Sequence, residues 1–510
     1  MTVKKTKKKA VKRSENSGKS KNNQKKNFFN LFNFLLLIIF AVGIFLRAKC
    51  YIANPSLWHD ECALAWNIKT KSYFELFGEL RFLQVAPPLF LISIKALFDA
   101  CKVGTNVAFA DMIMVAIPFI SSIFSIFVFY FITKEIFEKK ITKLFANAFF
   151  AINFALINYS YQLKQYSTDV LVVLLVTLAF LKLNPEKLSK KSTIFFALLT
   201  FLSIWFSFIS VFFILGGLLI LFAKRKGLNN VSTIAIVFLI SCFLYAKIYV
   251  FSTFSHNSTG MIGYWGQDFI KKDFSNFLAL LLENTKYFFA PIKFDIYMLC
   301  IIATGFVSSL FLKRKDFTAY LTLAVLALCI SSIFKIYPFL GRVILFLAPF
   351  FIIFFVFPLE FVQKDRKIVS TLLIGLIGIV FVLNGFFMTK FALLKTYTKS
   401  EIPRELMQVI NKNIKSTDKI FITQSSNCEY FYYSSFFKRK NQLEYKQYEN
   451  DFVKYLAELK KLKGHYWIYL PYDTSIQDQT TYKIVQWTKT HAKVLKYVQK
   501  GQSVLIYANL

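Results

Sequence analysis

The sequence predicts a polytopic α-helical membrane protein with about eleven transmembrane helices and a small C-terminal α/β soluble domain. Three observations lead there. The 510 residues are 56% hydrophobic, with a mean hydropathy of +0.48. Apolar runs long enough to cross a bilayer recur along most of the chain. From about residue 392 the composition turns polar, and helical patterns alternate with short β-rich runs.

The first 27 residues hold eleven Lys/Arg and one Glu among Ser, Asn and Gly. This composition predicts a disordered polybasic cytoplasmic tail that touches anionic lipid headgroups. The net charge of +35 does not mark a nucleic-acid binder, because the basic residues gather at the ends of the apolar runs. The seven cysteines form no CxxC pair and no zinc spacing.

Expected spans are about 28–46, 112–133, 143–160, 168–183, 193–207, 208–223, 231–251, 285–311, 317–334, 340–360 and 368–389. The segment 87–102 is apolar but short. It opens with Pro87-Pro88 and carries Lys95 and Asp99 at i,i+4 spacing. If it does not cross, every dense basic link falls on one side: 134–143, 187–191, 224–226, 313–315 and 364–367. The positive-inside pattern makes that side cytoplasmic, so 87–102 lies on the outer surface as an amphipathic helix. The chain then divides into the tail 1–27, a membrane domain 28–391 with a long outer loop 47–111, and an extracytoplasmic α/β domain 392–510. In that domain 405–414, 450–463 and 476–499 read as helix, and 419–423, 465–470 and 503–508 as strand.

Four places can carry chemistry. Trp58-His59-Asp60-Glu61 puts two adjacent carboxylates just beyond the first span, where partial desolvation raises a carboxyl pKa toward that of a general base. The turn 159–169 packs Tyr159, Tyr161, Gln162, Lys164, Tyr166 and Asp169 between two spans, with Lys164 its sole cation and suited to a phosphate. Arg342, in Tyr337-Pro-Phe-Leu-Gly-Arg342, opens a late apolar helix and either snorkels to headgroups or binds an anion. Arg47 holds a similar place at the end of the first span. The loop 252–284 carries Tyr264 and Trp265 beside glycines, as in a mobile flap whose rings stack on a sugar or join the interfacial aromatic belt. No Walker loop, GxGxxG, HExxH or GxSxG is present.

In order and in sidedness these pieces resemble the GT-C superfamily of membrane glycosyltransferases. The resemblance is to the branch of protein O-mannosyltransferases, aminoarabinose transferases and RgtA-like proteins (glycosyltransferase family 39). Residues 58–61 resemble the Asp-Glu motif of the first outer loop, and APPL (86–89) the Pro-Pro-Leu that opens its juxtamembrane helix. YSYQLKQYS (159–167) resembles the Lys/Arg-Tyr turn, and YPFLGR (337–342) a late Arg-containing segment. The resemblance implies transfer of a sugar from a polyprenyl-phosphate donor to a glycan, lipid or protein acceptor, usually with inversion, at the outer face of a bacterial-type cytoplasmic membrane. It implies Asp60 as general base, and Lys164, Arg342 and Arg47 as phosphate-binding cations. His59, Gln162, Tyr166, Tyr264 and Trp265 would line the substrate. Glu61 either orients the acceptor or joins Asp60 in holding a divalent metal ion. One departure stands out: relatives often carry Arg where the second span begins, and this chain has Asp111. The competing class is a transporter or flippase of lipid-linked sugars. It is disfavoured because the charges sit at the outer ends of spans rather than deep inside them.

Overall fold

The computed structural model describes residues 31–184, 188–224, 227–247, 265–271, 273–289, 295–311, 315–361, 367–393, 402–437, 443–445, 452–471 and 479–510. The tail 1–27, Tyr264 and much of the expected flap lie outside them.

Long apolar sequences become helices here because a helix satisfies its own backbone hydrogen bonds. Among the described residues five helices are long and apolar enough to span a membrane: Leu31–Ala53, Val107–Ile136, Leu228–Tyr245, Lys315–Ile333 and Gly341–Glu360. The pair Lys140–Ile152 and Phe154–Tyr161 forms a sixth, bent by 42°. Apolar helices Tyr166–Lys182, Lys190–Phe206, Ser210–Ala223 and Asp295–Phe311 stand beside them. Their shared core is rich in Phe, Leu, Ile and Val, including Phe129, Phe150, Val173, Phe213 and Phe355. The ends of these helices farthest from the first loop are tied by ion pairs, Lys182 to Glu135 and Lys224 to Asp316.

Two expected spans are corrected. The run 143–160 breaks at Asn153, whose side-chain oxygen caps the next helix at Leu156 N–H while its amide donates to the Phe288 carbonyl. The run 285–311 is two helices, Phe274–Phe289 and Asp295–Phe311. Pro291 falls in the interval and disfavours a continuous helix there.

The first loop folds into helices His59–Thr70 and Pro88–Ala100. The second starts where the two prolines predict, because Pro at the first helical turn loses no backbone hydrogen bond. It buries Phe90, Leu91 and Ile94, and Lys95 pairs with Asp99 at 3.4 Å.

The C-terminal domain holds a five-stranded sheet in the order β2-β1-β3-β5-β4, formed by β1 Lys419–Ile422, β2 Leu443–Tyr445, β3 His465–Leu470, β4 Lys493–Lys500 and β5 Ser503–Asn509. Strands β2, β1 and β3 run parallel, and β5 is antiparallel to both β3 and β4. The expected helix 476–499 is corrected. It stops at His491, and 493–500 is the edge strand β4. Val494, Tyr497 and Val498 favour that extended form, and Gly501 at φ +56° turns the chain back into β5. Alternation along the strands feeds two cores. Phe421, Tyr466, Ile468 and Ile506 pack under helices Phe452–Leu459 and Gln479–His491. Ile420, Ile422, Trp467, Tyr469 and Leu505 share a core with Leu57, Leu64, Phe90 and Met114 of the first loop and second span. The C-terminal domain and the loop are therefore one packed unit.

Candidate active site

Asp60 occupies the first turn of helix His59–Thr70. Two cations from distant parts of the chain close on one of its oxygens. Lys164 Nζ lies 3.6 Å from Oδ2, and Arg342 Nη2 lies 3.5 Å from it. The three side chains are 28%, 10% and 20% exposed, so each charge is screened by protein yet keeps a face to an approaching ligand.

Each cation is held by local structure. Lys164 follows the short helix Tyr159–Tyr161 in the tight turn before Tyr166 and donates to Gln84 Oε1 at 2.9 Å. Gln84 is delivered by a strained strap, since Phe82 and Leu83 both have left-handed backbones, at φ +62° and +53°. Asn67 clamps the strap by accepting from Arg81 N–H and donating to its carbonyl. Arg342 stands at the start of a 3₁₀ segment, Gly341–Leu347. Asn284 grips the approach to it, donating to the Phe339 carbonyl and accepting from Gly341 N–H. Gly341 takes φ +59°, the left-handed form that side chains disfavour. The guanidinium carbon lies 5.6 Å from the Trp58 ring centre and 5.4 Å from that of Trp265, two cation–π contacts.

Glu61 is wholly buried and works on the backbone. One oxygen accepts from Trp58 N–H at 3.0 Å, and the other from Leu163 N–H at 2.6 Å. It thereby staples the loop helix to the Lys164 turn. Glu61, expected to orient the acceptor or help hold a metal, is corrected: in the structure its two oxygens instead accept from backbone N–H donors. Among the described residues no group of three or more His, Cys, Asp or Glu gathers to hold a metal ion. Asp60 faces Lys164 and Arg342 where such an ion would need to sit, so the described residues around it do not fit a metal.

The electrostatics of Asp60 also differ from expectation. Burial pushes its carboxyl up, but Lys164, Arg342 and His59 together pull it below the ordinary carboxylate value. Burial likewise lowers the Lys164 ammonium, which Asp60 only partly restores.

Arg47 is corrected outright. It is fully buried inside the bundle, bonded to Ser122 Oγ at 2.7 Å and to the carbonyls of Gly43, Ala151 and Phe150. It ties three helices together and presents no face to a phosphate. Gln162 folds back on the Asn158 carbonyl in its own turn. Tyr166 packs edge-on against Tyr159, whose hydroxyl accepts from that of Tyr287 at 2.7 Å, and this tyrosine group lies within the field of Arg342. Trp265 sits at the site through Arg342. His59 sits there too, its Nδ1 3.0 Å from Glu429 Oε2.

Sequence reasoning missed Gln84, Asn284 and Glu429, which carry no motif. It noted Asp111 only as a departure, where relatives often carry Arg. Asp111 is instead a buried anchor, accepting from Arg404 and from the hydroxyls of Tyr432 and Tyr433 at 3.0–3.1 Å.

No family model and no curated protein sequence matches the chain. Solved structures do. The oligosaccharyltransferase of Archaeoglobus fulgidus, solved in complex with Zn and sulfate, is similar over 92% of this chain and 73% of that one, with a TM-score of 0.53 and 12% identity. ArnT from Cupriavidus metallidurans bound to undecaprenyl phosphate is similar over 94% of this chain and 98% of that one, with a TM-score of 0.53 and 11% identity. Its apo state gives 0.52 over the same shares. The chain has the GT-C membrane fold. At 11–12% identity the likeness is one of architecture. In this chain the Asp60 cluster joins the first loop, the Lys164 turn and the start of a late helix.

Proposed function

We propose that the protein is a membrane glycosyltransferase. It moves a sugar from a polyprenyl-phosphate donor to an acceptor hydroxyl at the outer face of a cytoplasmic membrane, with the N-terminus inside and the C-terminal domain outside. The observation that carries the reading is the Asp60 carboxylate flanked by Lys164 and Arg342 at the end of an apolar bundle. The bundle suits the prenyl chain, and the cations suit its phosphate.

The chemistry follows from the charges. The acceptor oxygen attacks the anomeric carbon, and the bond from that carbon to the phosphate oxygen breaks. The acceptor proton passes to Asp60. The departing lipid phosphate gains negative charge, which Lys164 and Arg342 are fixed in advance to stabilise. Trp58 and Trp265, stacked about Arg342, offer ring faces beside the sugar.

The ion pairs add a step. A phosphate that enters between Lys164 and Arg342 competes with Asp60 for both. Losing those partners raises the carboxyl pKa, so donor binding itself converts a strongly paired carboxylate into a better base. Two measurements test this. D60N, in protein reconstituted with synthetic polyprenyl-phosphate hexoses and pentoses, removes transfer by about 10²-fold or more while the fold is kept. Full activity in D60N would sink the assignment. In the unsubstituted protein the acidic limb of kcat/KM should lie below the ordinary carboxylate range, whereas that of kcat should lie at higher pH. Coincident limbs would exclude the switch. Movement of lipid-linked sugar across vesicles without transfer would favour the transporter reading instead.

A further inference from the structure

His59 immediately precedes Asp60, and its partner comes from the C-terminal domain. Its Nδ1 lies 3.0 Å from Oε2 of Glu429, in the first turn of helix Asn427–Ser434. The Glu429 side chain is fully buried, and its other oxygen has no hydrogen-bond partner among the described residues. A buried carboxylate so placed needs the cation opposite it. Burial draws the imidazole pKa down, but Glu429 and Cys428 more than reverse this and hold it well above the ordinary value.

The contact belongs to a broad junction. Helix His59–Thr70 packs along helix Asn427–Ser434. Leu57 N–H donates to Tyr433, Ser56 donates to Glu405 Oε2 at 2.7 Å, and Arg404 donates to the Asn54 carbonyl. The C-terminal domain thus grips the strand of loop that leads into His59 and Asp60. The charge on His59 also acts on Asp60, together with Lys164 and Arg342.

We infer that Glu429 is a positioning residue: through His59 the C-terminal domain sets the orientation of the Asp60 carboxylate. The inference rests on the reading of Asp60 as the reacting group, but the setting of His59 does not. On this account the domain completes the site and is more than a platform for the acceptor.

The test uses the full chain in lipid nanodiscs, labelled with ¹⁵N-histidine and ¹³C-aspartate. The signals of His59 and Asp60 are identified by their loss in H59Q and D60N. E429Q is compared with S56A, which removes one hydrogen bond of the same junction without touching His59. E429Q should move the His59 ring signals toward those of neutral imidazole and shift the Asp60 carboxyl signal, and S56A should do neither. With the panel of polyprenyl-phosphate hexoses and pentoses, E429Q should lower kcat by about tenfold or more with donor KM within about twofold. If E429Q fails to fold, E429D, which keeps the charge and shortens the reach, should shift the Asp60 carboxyl signal and lower kcat while S56A does neither. Unmoved His59 and Asp60 signals overturn the inference, as does an unchanged kcat. If the unsubstituted protein transfers no sugar from any donor, the proposed function falls, and the spectra still decide whether Glu429 sets His59 and Asp60.

Discussion

At the scale of single residues, neighbours in sequence take different tasks. Asp60 faces cations, while Glu61, one position on, turns inward and accepts two backbone N–H groups. Successive helical residues point about 100° apart, so adjacent acids cannot share one environment. Arg47 and Arg342 divide in the same way. Both stand near span ends, yet one is enclosed by carbonyls and the other is stacked between tryptophans. A substitution separates the two roles. R47M leaves the Ala151 and Phe150 carbonyls unpaired and should destabilise the protein by about 3 kcal/mol. Donor KM in the molecules that fold should not change. R342M should do the reverse, raising donor KM with little loss of melting temperature. Calorimetry and initial-rate kinetics on the same preparations check both.

At the scale of elements, the site depends on where helices are interrupted. The break at Asn153 lets the chain turn toward Tyr159 and Lys164, and the 3₁₀ start at Gly341 aims Arg342 at Asp60. Asn284 joins the two sides of that start. N284A should therefore raise donor KM through loss of Arg342 placement, and N284D, which keeps the acceptor for Gly341 N–H, should restore part of it. G341A tests the backbone alone. A Cβ at position 341 meets nothing within 4 Å, so its effect is the strain of φ +59°, about 1 kcal/mol. A larger loss of melting temperature would mean that crowding, not strain, governs the position. The sequence announced that Tyr337–Arg342 was unusual, but not that Asn284 would hold it. Hydrogen bonds from a side chain to a distant backbone leave no periodic trace.

At the scale of the whole molecule, the C-terminal domain and the first loop fold on one core. Asp111 is the hub, meeting Arg404, Tyr432 and Tyr433 at once. D111N leaves the Arg404 charge only its longer, 3.5 Å contact with Glu405 and should cost about 3 kcal/mol. Limited proteolysis should then release the C-terminal domain sooner. The His59–Glu429 pair adds a pH dependence to the same junction. The folded pKa of His59 is raised, so its contribution is fully present below about pH 6.5, the unfolded value. It is lost as pH climbs through the higher folded value. The groups facing the imidazole are Glu429, Cys428 and Asp60. Melting temperature should fall with rising pH in that window, and the slope should flatten in H59Q.

Hydropathy, proline placement and the alternation of β1, β3 and β5 determined the membrane class, the helix start at Pro88 and the α/β character of the C-terminal domain. These are local properties, set by how a short stretch meets water, lipid or its own backbone. The motif residues Asp60, Lys164 and Arg342 were legible as candidates, because an acidic pair just beyond the first apolar run and single cations in links without a dense basic cluster stand out. Only the tertiary structure decided which of them meet. Glu429 lies 370 residues from His59, and Arg404 lies 293 from Asp111. Pairing across such separations is fixed by packing of the whole chain, and that packing turned Glu61 and Arg47 from candidate ligand-contacting groups into supports.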